Sequence, residues 1–421
     1  MSVPPVDGVP YDTASIPLPP HTSDSRRRHD RIFTAPFVLG WFINFAQYFV
    51  YYLLVTTLAV YAMTRFAASD AEGGLASSAF IIGATATRLF AGGIVDALPR
   101  RRLLLIVLLI GCAVSGLYLI ADTFAMLVAV RVVHGATFAI ASTASMSLAQ
   151  SVVPERRRAE GTGYLALSST VATAVGPALG LLLVGVSTYT VLFWCSLVIG
   201  ITGLGLALFV RDERDLLPRE RRGLRIAWRG VLAPSVVPIG LFMMLIGAAY
   251  AGIVTYLNAF AIERDLLAGA GLFFVAYATM MFAGRLVLGR LQDRRGDNTV
   301  VYPAILIMAA AALAIAGATE DWHVVVSGAL CGLGYGSLMP ASQAIAVHSV
   351  PPERIGTGLS SLFLFTDIGF GICPALLGLA VGGFGYGWTF AGLAGVTLLA
   401  GVWYILVHGR KDVAQRGRFA S

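Results

Sequence analysis

Twelve stretches of this chain are apolar enough and long enough to rule out nearly every water-soluble fold. About 20 consecutive apolar residues cross a bilayer as a helix. Such runs lie at 36–62, 74–95, 102–121, 124–149, 162–185 and 189–210. After a charged interval, six more follow at 237–260, 268–291, 299–318, 323–348, 358–384 and 386–407. In lipid a backbone must satisfy its own hydrogen bonds, which leaves helices or a closed barrel. Barrel strands would alternate polar and apolar positions, and these runs do not. With 57% apolar and only 13% charged residues, against roughly a quarter charged in soluble domains, the expected class is an all-α membrane protein of 12 transmembrane helices.

Charge placement orients the spans. With the N-terminus inside, 25 of the 30 Lys and Arg fall on the inner side, and only Arg65 and Arg264 on the outer. Basic loops stay in the cytoplasm, so both termini are expected there, in a bacterial inner membrane. The division expected is a disordered N-tail at 1–32, six helices over 33–210, a linker at 211–236, six helices over 237–408 and a C-tail at 409–421. The linker is read as a solvated tether, with a short surface helix through Leu224, Ile226 and Trp228 as the other reading. No signal peptide is expected, because a polar, proline-rich tail precedes the first run. The net charge of +7 sits in short clusters rather than on one basic face, so nucleic acid is excluded as a partner. No phosphate loop or His-Glu-x-x-His site occurs, and no cofactor or metal is expected. The four cysteines lie inside apolar runs and are read as packing residues.

The two halves echo each other. Arg88, Gly92 and Asp96, ahead of Arg100, Arg101 and Arg102, are matched by Arg285, Gly289 and Asp293, ahead of Arg294 and Arg295, at one separation of 197 residues. Gly135 and Gly332, and Pro177 and Pro374, share that separation. Val153-Pro154-Glu155-Arg156 looks like Pro351-Pro352-Glu353-Arg354, and Gly161-Thr162-Gly163 like Gly356-Thr357-Gly358 after a small shift. A duplicated cationic turn between membrane-length segments marks a transporter built from two repeats.

On these residues the chain resembles the major facilitator superfamily. Gly92, Asp96, Arg100 and Arg101 follow its Gly-x-x-x-Asp-Arg-x-Gly-Arg-Arg turn between helices 2 and 3, with departures at Ala97 and Pro99. The second copy keeps Gly289, Asp293, Arg294 and Gly296 but has Asp297 where a cation is usual. Arg131 and Gly135 resemble the family's helix-4 signature. Gly163, Gly176-Pro177 and Gly180 resemble the helix-5 pattern of proton-coupled exporters, departing at Ala172 and Leu181. The resemblance implies two pseudo-symmetric six-helix bundles, a monomer as the functional unit and alternating access of a small organic solute. It favours export of a drug, metal chelator or natural product by proton antiport. An importer or facilitator of sugars or organic acids shares the same fold. A polytopic membrane enzyme would need acids or histidines clustered at one face, and those are missing.

Intramembrane charges are costly and so point to function. Asp367 is nine residues beyond Gly358 and Arg88 eight before Asp96, each about 12–13 Å from the inner face at about 1.5 Å per residue. Helices 2 and 11 pack together in the family, so an Arg88–Asp367 pair across the halves is expected. Asp367 is then either a proton acceptor or one side of a static pair. At the position matching Asp367 the first half has Thr170, which leaves Arg285 without a counterpart acid. Arg131 and His134 share a face of helix 4; Arg131 is a candidate for an anionic substrate group or for relaying charge in proton coupling, and His134 for titration or for a buried hydrogen bond. Asp96 is read as an inner latch, and Gly176-Pro177 as a bend or tight contact at the seam between halves, or as an ordinary packing kink. The resemblance makes helices 1, 4, 7 and 10 the cavity lining, which nominates Asn44, Gln47, Tyr51, Tyr256 and Gln343 for the substrate.

Overall fold

The computed structural model describes residues 31–55, 57–210 and 232–416. Most of the N-tail and of the linker, with its Leu224, Ile226 and Trp228, therefore lies outside the described residues. Those described form helices and turns with no strand. We label the helices α1 Ala35–Val55, α2 Asp70–Ala97, α3 Arg100–Leu117, α4 Phe124–Ser151, α5 Arg158–Val186 and α6 Tyr189–Leu208. They continue as α7 Val237–Arg264, α8 Leu267–Arg295, α9 Asn298–Ala316, α10 Asp321–His348 and α11 Ile355–Tyr404.

Two boundaries differ from the hydropathy runs. The first run divides, α1 being followed by a separate short helix, Leu58–Phe66. The last two runs are continuous in α11, broken only where Gly385 turns at φ 75° and ψ 170°. A positive φ with extended ψ is open to glycine alone, so one residue does the work of a loop. The tail beyond 408 also has structure: the short helix Asp412–Gln415 packs its Ala414 carbonyl against Gly296, itself at φ 93°.

Large apolar side chains such as Ile106, Leu109, Trp194, Val198 and Val287 are more than half exposed. Water would penalise that surface, whereas acyl chains accept it. Between helices, association in lipid relies on small residues that let backbones approach. A Cβ on Gly135 of α4 would fall inside contact distance of the Phe80 carbonyl oxygen of α2. On Gly332 of α10 it would meet the Tyr277 carbonyl of α8 in the same way. Tyr277 follows Phe80 at the same separation as Gly332 follows Gly135. The same crossing is thus built twice.

That crossing makes a stability prediction. Gly135→Ala and Gly332→Ala should each cost about 1–3 kcal/mol through forced separation of the helices. Gly93→Ala, with nothing within 4 Å of the added carbon, should stay within about 0.5 kcal/mol. Melting of the detergent-solubilised variants checks the ranking.

Candidate functional site

At one end of the bundle, two carboxylates reach across to the helix of the opposite half. Asp96, at the end of α2, accepts from the Gly356 amide at 2.9 Å, the Thr357 amide at 2.7 Å and the Thr357 hydroxyl at 2.6 Å, all in the first turn of α11. Asp293, at the end of α8, accepts from the Ala159 amide at 3.0 Å and the Glu160 amide at 2.7 Å in the first turn of α5. The opening amides of a helix have no partners within it, and they carry the positive end of its dipole. Each acid therefore caps a helix that it does not belong to. Close approach is needed for this: a Cβ on Gly92 would lie 2.5 Å from the Thr357 Cα, and one on Gly289 2.5 Å from the Ala159 carbonyl oxygen.

These contacts correct one reading of the repeat. Gly356 and Thr357 occupy the places of Ala159 and Glu160, not those of Gly161 and Thr162. Val153 packs on Gly161 as Val350 packs on Gly358. The single separation of 197 residues therefore runs through the loop unshifted. The cap position sets the register, and the similar Gly-Thr-Gly letters do not.

The basic residues of the first turn have separate tasks. Arg100 is buried and donates to the Pro352 carbonyl of the opposite half at 3.1 Å, whereas Arg101 donates to the Leu208 carbonyl of its own half at 3.0 Å. Arg294 is exposed.

About 12 Å deeper by helical rise, the seam between α2 and α11 holds an ion pair. Arg88 Nε donates to Asp367 Oδ2 at 2.6 Å, with side-chain exposures of 5% and 24%. The guanidinium carbon lies 4.7 Å from the Phe363 ring centre, and the Ser360 hydroxyl donates to the Arg88 carbonyl at 2.5 Å. The acid is thus the accessible member of the pair. In the matching seam between α8 and α5, Arg285 donates through Nη1 to the Thr170 hydroxyl and the Ala166 carbonyl, and through Nε to the Gly336 carbonyl at 3.5 Å.

Other nominated residues are held within their own half. Gly176 and Gly180 pack against Tyr52 and Leu53 of α1, inside their own half. Pro177 stays within α5 without ending it, and the side chain of its counterpart Pro374 lies outside the described set. Arg131 is fully buried and donates to the Ala76 carbonyl at 3.1 Å and the Ser77 carbonyl at 3.0 Å, fastening α4 to α2. His134 shares a hydrogen bond of 3.0 Å with the Tyr118 hydroxyl. Neither faces open space, because both are held by the helices beside them. Asn44 is likewise buried, donating to the Ser168 hydroxyl at 2.7 Å.

Aromatic rings form the remaining feature. Tyr51 of α1 lies 4.7 Å from Phe80 and 5.9 Å from Phe138, ring centre to ring centre. Tyr250 of α7 stacks 4.2 Å from Tyr335 and 5.6 Å from Tyr277. Phe80 and Phe138 match Tyr277 and Tyr335 at the repeat separation, so each half builds one three-ring wall. Phe80, Phe138 and Tyr277 were not nominated from sequence. Overlaying the halves at one separation would have found them. Gln47 is half-buried, Tyr256 lies 6.2 Å from Tyr386, and Gln343 is buried with its side-chain carbonyl oxygen unpartnered.

The cross-seam caps make a conformational prediction. Asp96→Ala or Asp293→Ala should weaken the closed seam by about 1–2 kcal/mol, the size of a lost cap. The distance between spin labels at the exposed Glu155 and Glu353 should then gain a longer population, read by pulsed electron resonance.

Residues 40–319 and 267–420 match the family model described as Major Facilitator Superfamily. The chain is 25% identical over 371 residues to the uncharacterized MFS-type transporter YhhS of Salmonella typhimurium, covering 85% of this chain and 88% of that one. It is 26% identical over 371 residues to the multidrug resistance protein MdtG of Serratia proteamaculans, covering 84% and 88%. Among solved structures it is similar to the human organic anion transporter MFSD10, at TM-score 0.77 and 17% identity over 88% of this chain and 98% of that one. The Escherichia coli fucose:proton symporter FucP aligns at TM-score 0.72 and 16% identity, over 91% and 100%.

Proposed function

The chain belongs to the major facilitator superfamily, and from that premise we propose that it is a proton-coupled secondary transporter that exports a small organic molecule from the cytoplasm. The observation that carries the coupling is the Arg88–Asp367 pair, a carboxylate in the seam between halves with 24% of its side chain exposed. Protonation removes the charge that holds Arg88. The seam between α2 and α11 then loses an interaction that closes it, and an interaction that favours one of two conformations is what shifts their equilibrium. Asp96 and Asp293 serve as the latches of the same rearrangement, on the cytoplasmic side by the placement of basic residues. The aromatic walls around Tyr51 and Tyr250 serve as the substrate chamber, opened alternately to either side.

Export is supported by the helix-5 pattern through Gly163, Gly176, Pro177 and Gly180 and by the similarity to MdtG. The alternative, an importer of a sugar or organic acid, would use the same gates, and the fold shared with FucP accommodates it equally.

Asp367→Asn should abolish transport driven by a pH gradient while exchange of labelled for unlabelled substrate continues. Asp367→Glu should restore part of the coupled flux. Everted vesicles with imposed gradients of both signs read coupling and direction together; full gradient-driven flux in the Asn variant would assign Asp367 a static role.

A further inference from the structure

One position of the cationic turn has changed sign between the repeats. Arg100 and Arg101 of the first turn stand where the second has Asp297 and Asn298, at the repeat separation of 197 residues. Arg101 and Asn298 do the same work, each donating to a carbonyl at the end of the last helix of its own half. Arg101 donates to Leu208 at 3.0 Å and Asn298 to Gly409 at 2.7 Å. Arg100 and Asp297 differ. Arg100 reaches the Pro352 carbonyl of the opposite half, whereas Asp297 turns to its own C-terminus, where its Oδ2 lies 2.9 Å from His408 Nε2. An acid has taken the place of a cation, and the tail brings an ionisable base to it.

The rest of the tail is seated on the same turn. Ile405–Gly409 form a π-helical turn at the end of α11, a rare widening that is frequent at functional sites, and His408 lies in it. Tyr404 donates its hydroxyl to Asn298 Oδ1 at 3.0 Å. Ala414 is fully buried, and its carbonyl oxygen lies 2.7 Å from where a Cβ on Gly296 would stand. The turn passes the contact on. Gln292 donates from Nε2 to Asp297 Oδ1 at 2.8 Å and to the Ala341 carbonyl of α10 at 3.4 Å. Next to Gln292 in sequence is Asp293, which caps α5 across the seam.

We propose that segment 408–415 is a clip that steadies the Asp293 latch and loosens as His408 gives up its proton. Asp297 is fully buried, and a buried carboxylate is costly without a charged or donating partner. A neutral imidazole can donate to it, but a charge-assisted bond is roughly twice as strong. Histidine changes charge between roughly pH 5 and 8. Docking is therefore firm on the acid side, where an imidazolium faces the carboxylate, and weakens as the pH rises. Tyr404 on the same helix lies 5.6 Å from His408 between ring centres, and Tyr302 of α9 lies 5.6 Å from Tyr404. Arg294, Arg295, Arg410, Lys411 and Asp412 flank the pair in the turn and the tail and are exposed. The start of α7, which packs at this end through Pro238 and Trp403, has no ionisable side chain over 237–249. The clip rests on the reading of Asp293 as a latch, and it would act alike in an exporter or an importer.

Hydrogen exchange of the full chain in lipid nanodiscs reads the docking. The reporters are the tail amides, among them Ala414 and Arg416, which donate to the Lys411 and Asp412 carbonyls. Corrected for the intrinsic rate, they should exchange about tenfold more slowly at about pH 5.5 than at about pH 8. His408→Gln keeps a neutral donor and should remove that difference. The seam is read separately, at the acid pH, by the distance between spin labels at Glu155 and Glu353. Ala414→Trp, which leaves His408 and every span intact, should give the longer population expected of Asp293→Ala, and so should removal of residues 410–421. A pH difference that survives His408→Gln would overturn the clip. So would a seam that stays short without the tail while Asp293→Ala lengthens it, a result that keeps the latch. Short distances in all three variants would overturn both.

Discussion

Everything at the closed end depends on two carboxylates placed against the free amides of another helix. Such a contact needs no buried cation opposite the acid, because the helix terminus itself supplies the partial positive charge. It is worth about a kilocalorie or two, enough to favour one arrangement and small enough to be surrendered. A full ion pair in the same place would cost far more to desolvate and to break cleanly. The glycines at 92 and 289 belong to the same device, since the acid can reach across only if the two backbones nearly touch.

The two seams share that latch but differ deeper down. One holds Arg88 against Asp367; the other holds Arg285 against Thr170 and a carbonyl. Duplication would have produced equal seams, so this difference in partners arose after it. One seam sets its cation against a carboxylate, and the other sets its cation against a hydroxyl and backbone carbonyls.

Much of this was readable from the chain. Span number and the all-helical class follow from apolar runs in a solvent that tolerates no unpaired backbone. The Arg88–Asp367 contact was readable from equal depth in the membrane together with the resemblance, which sets helices 2 and 11 side by side. What escaped was set by directions that letters do not carry. Gly-Thr-Gly looked alike in both halves, yet the cap register placed Gly356 opposite Ala159. Gly176 faces α1 rather than the other half, since nothing in a Gly-Pro pair says which way the helix has turned. Arg131 was expected beside the substrate, but backbone carbonyls two helical turns along α2 offered its guanidinium nearer partners.

The paired aromatic walls have a consequence of their own. They match in shape but not in wetting: phenyl rings at 80 and 138 stand where the other half has phenols at 277 and 335. On the proposed reading, in which these walls line the substrate chamber, a molecule with a greasy end and a polar end would lie flat across the membrane with its head toward the second repeat. The chamber would then sort its guests by how their polarity is distributed along their length, and two isomers of one formula could fare quite differently.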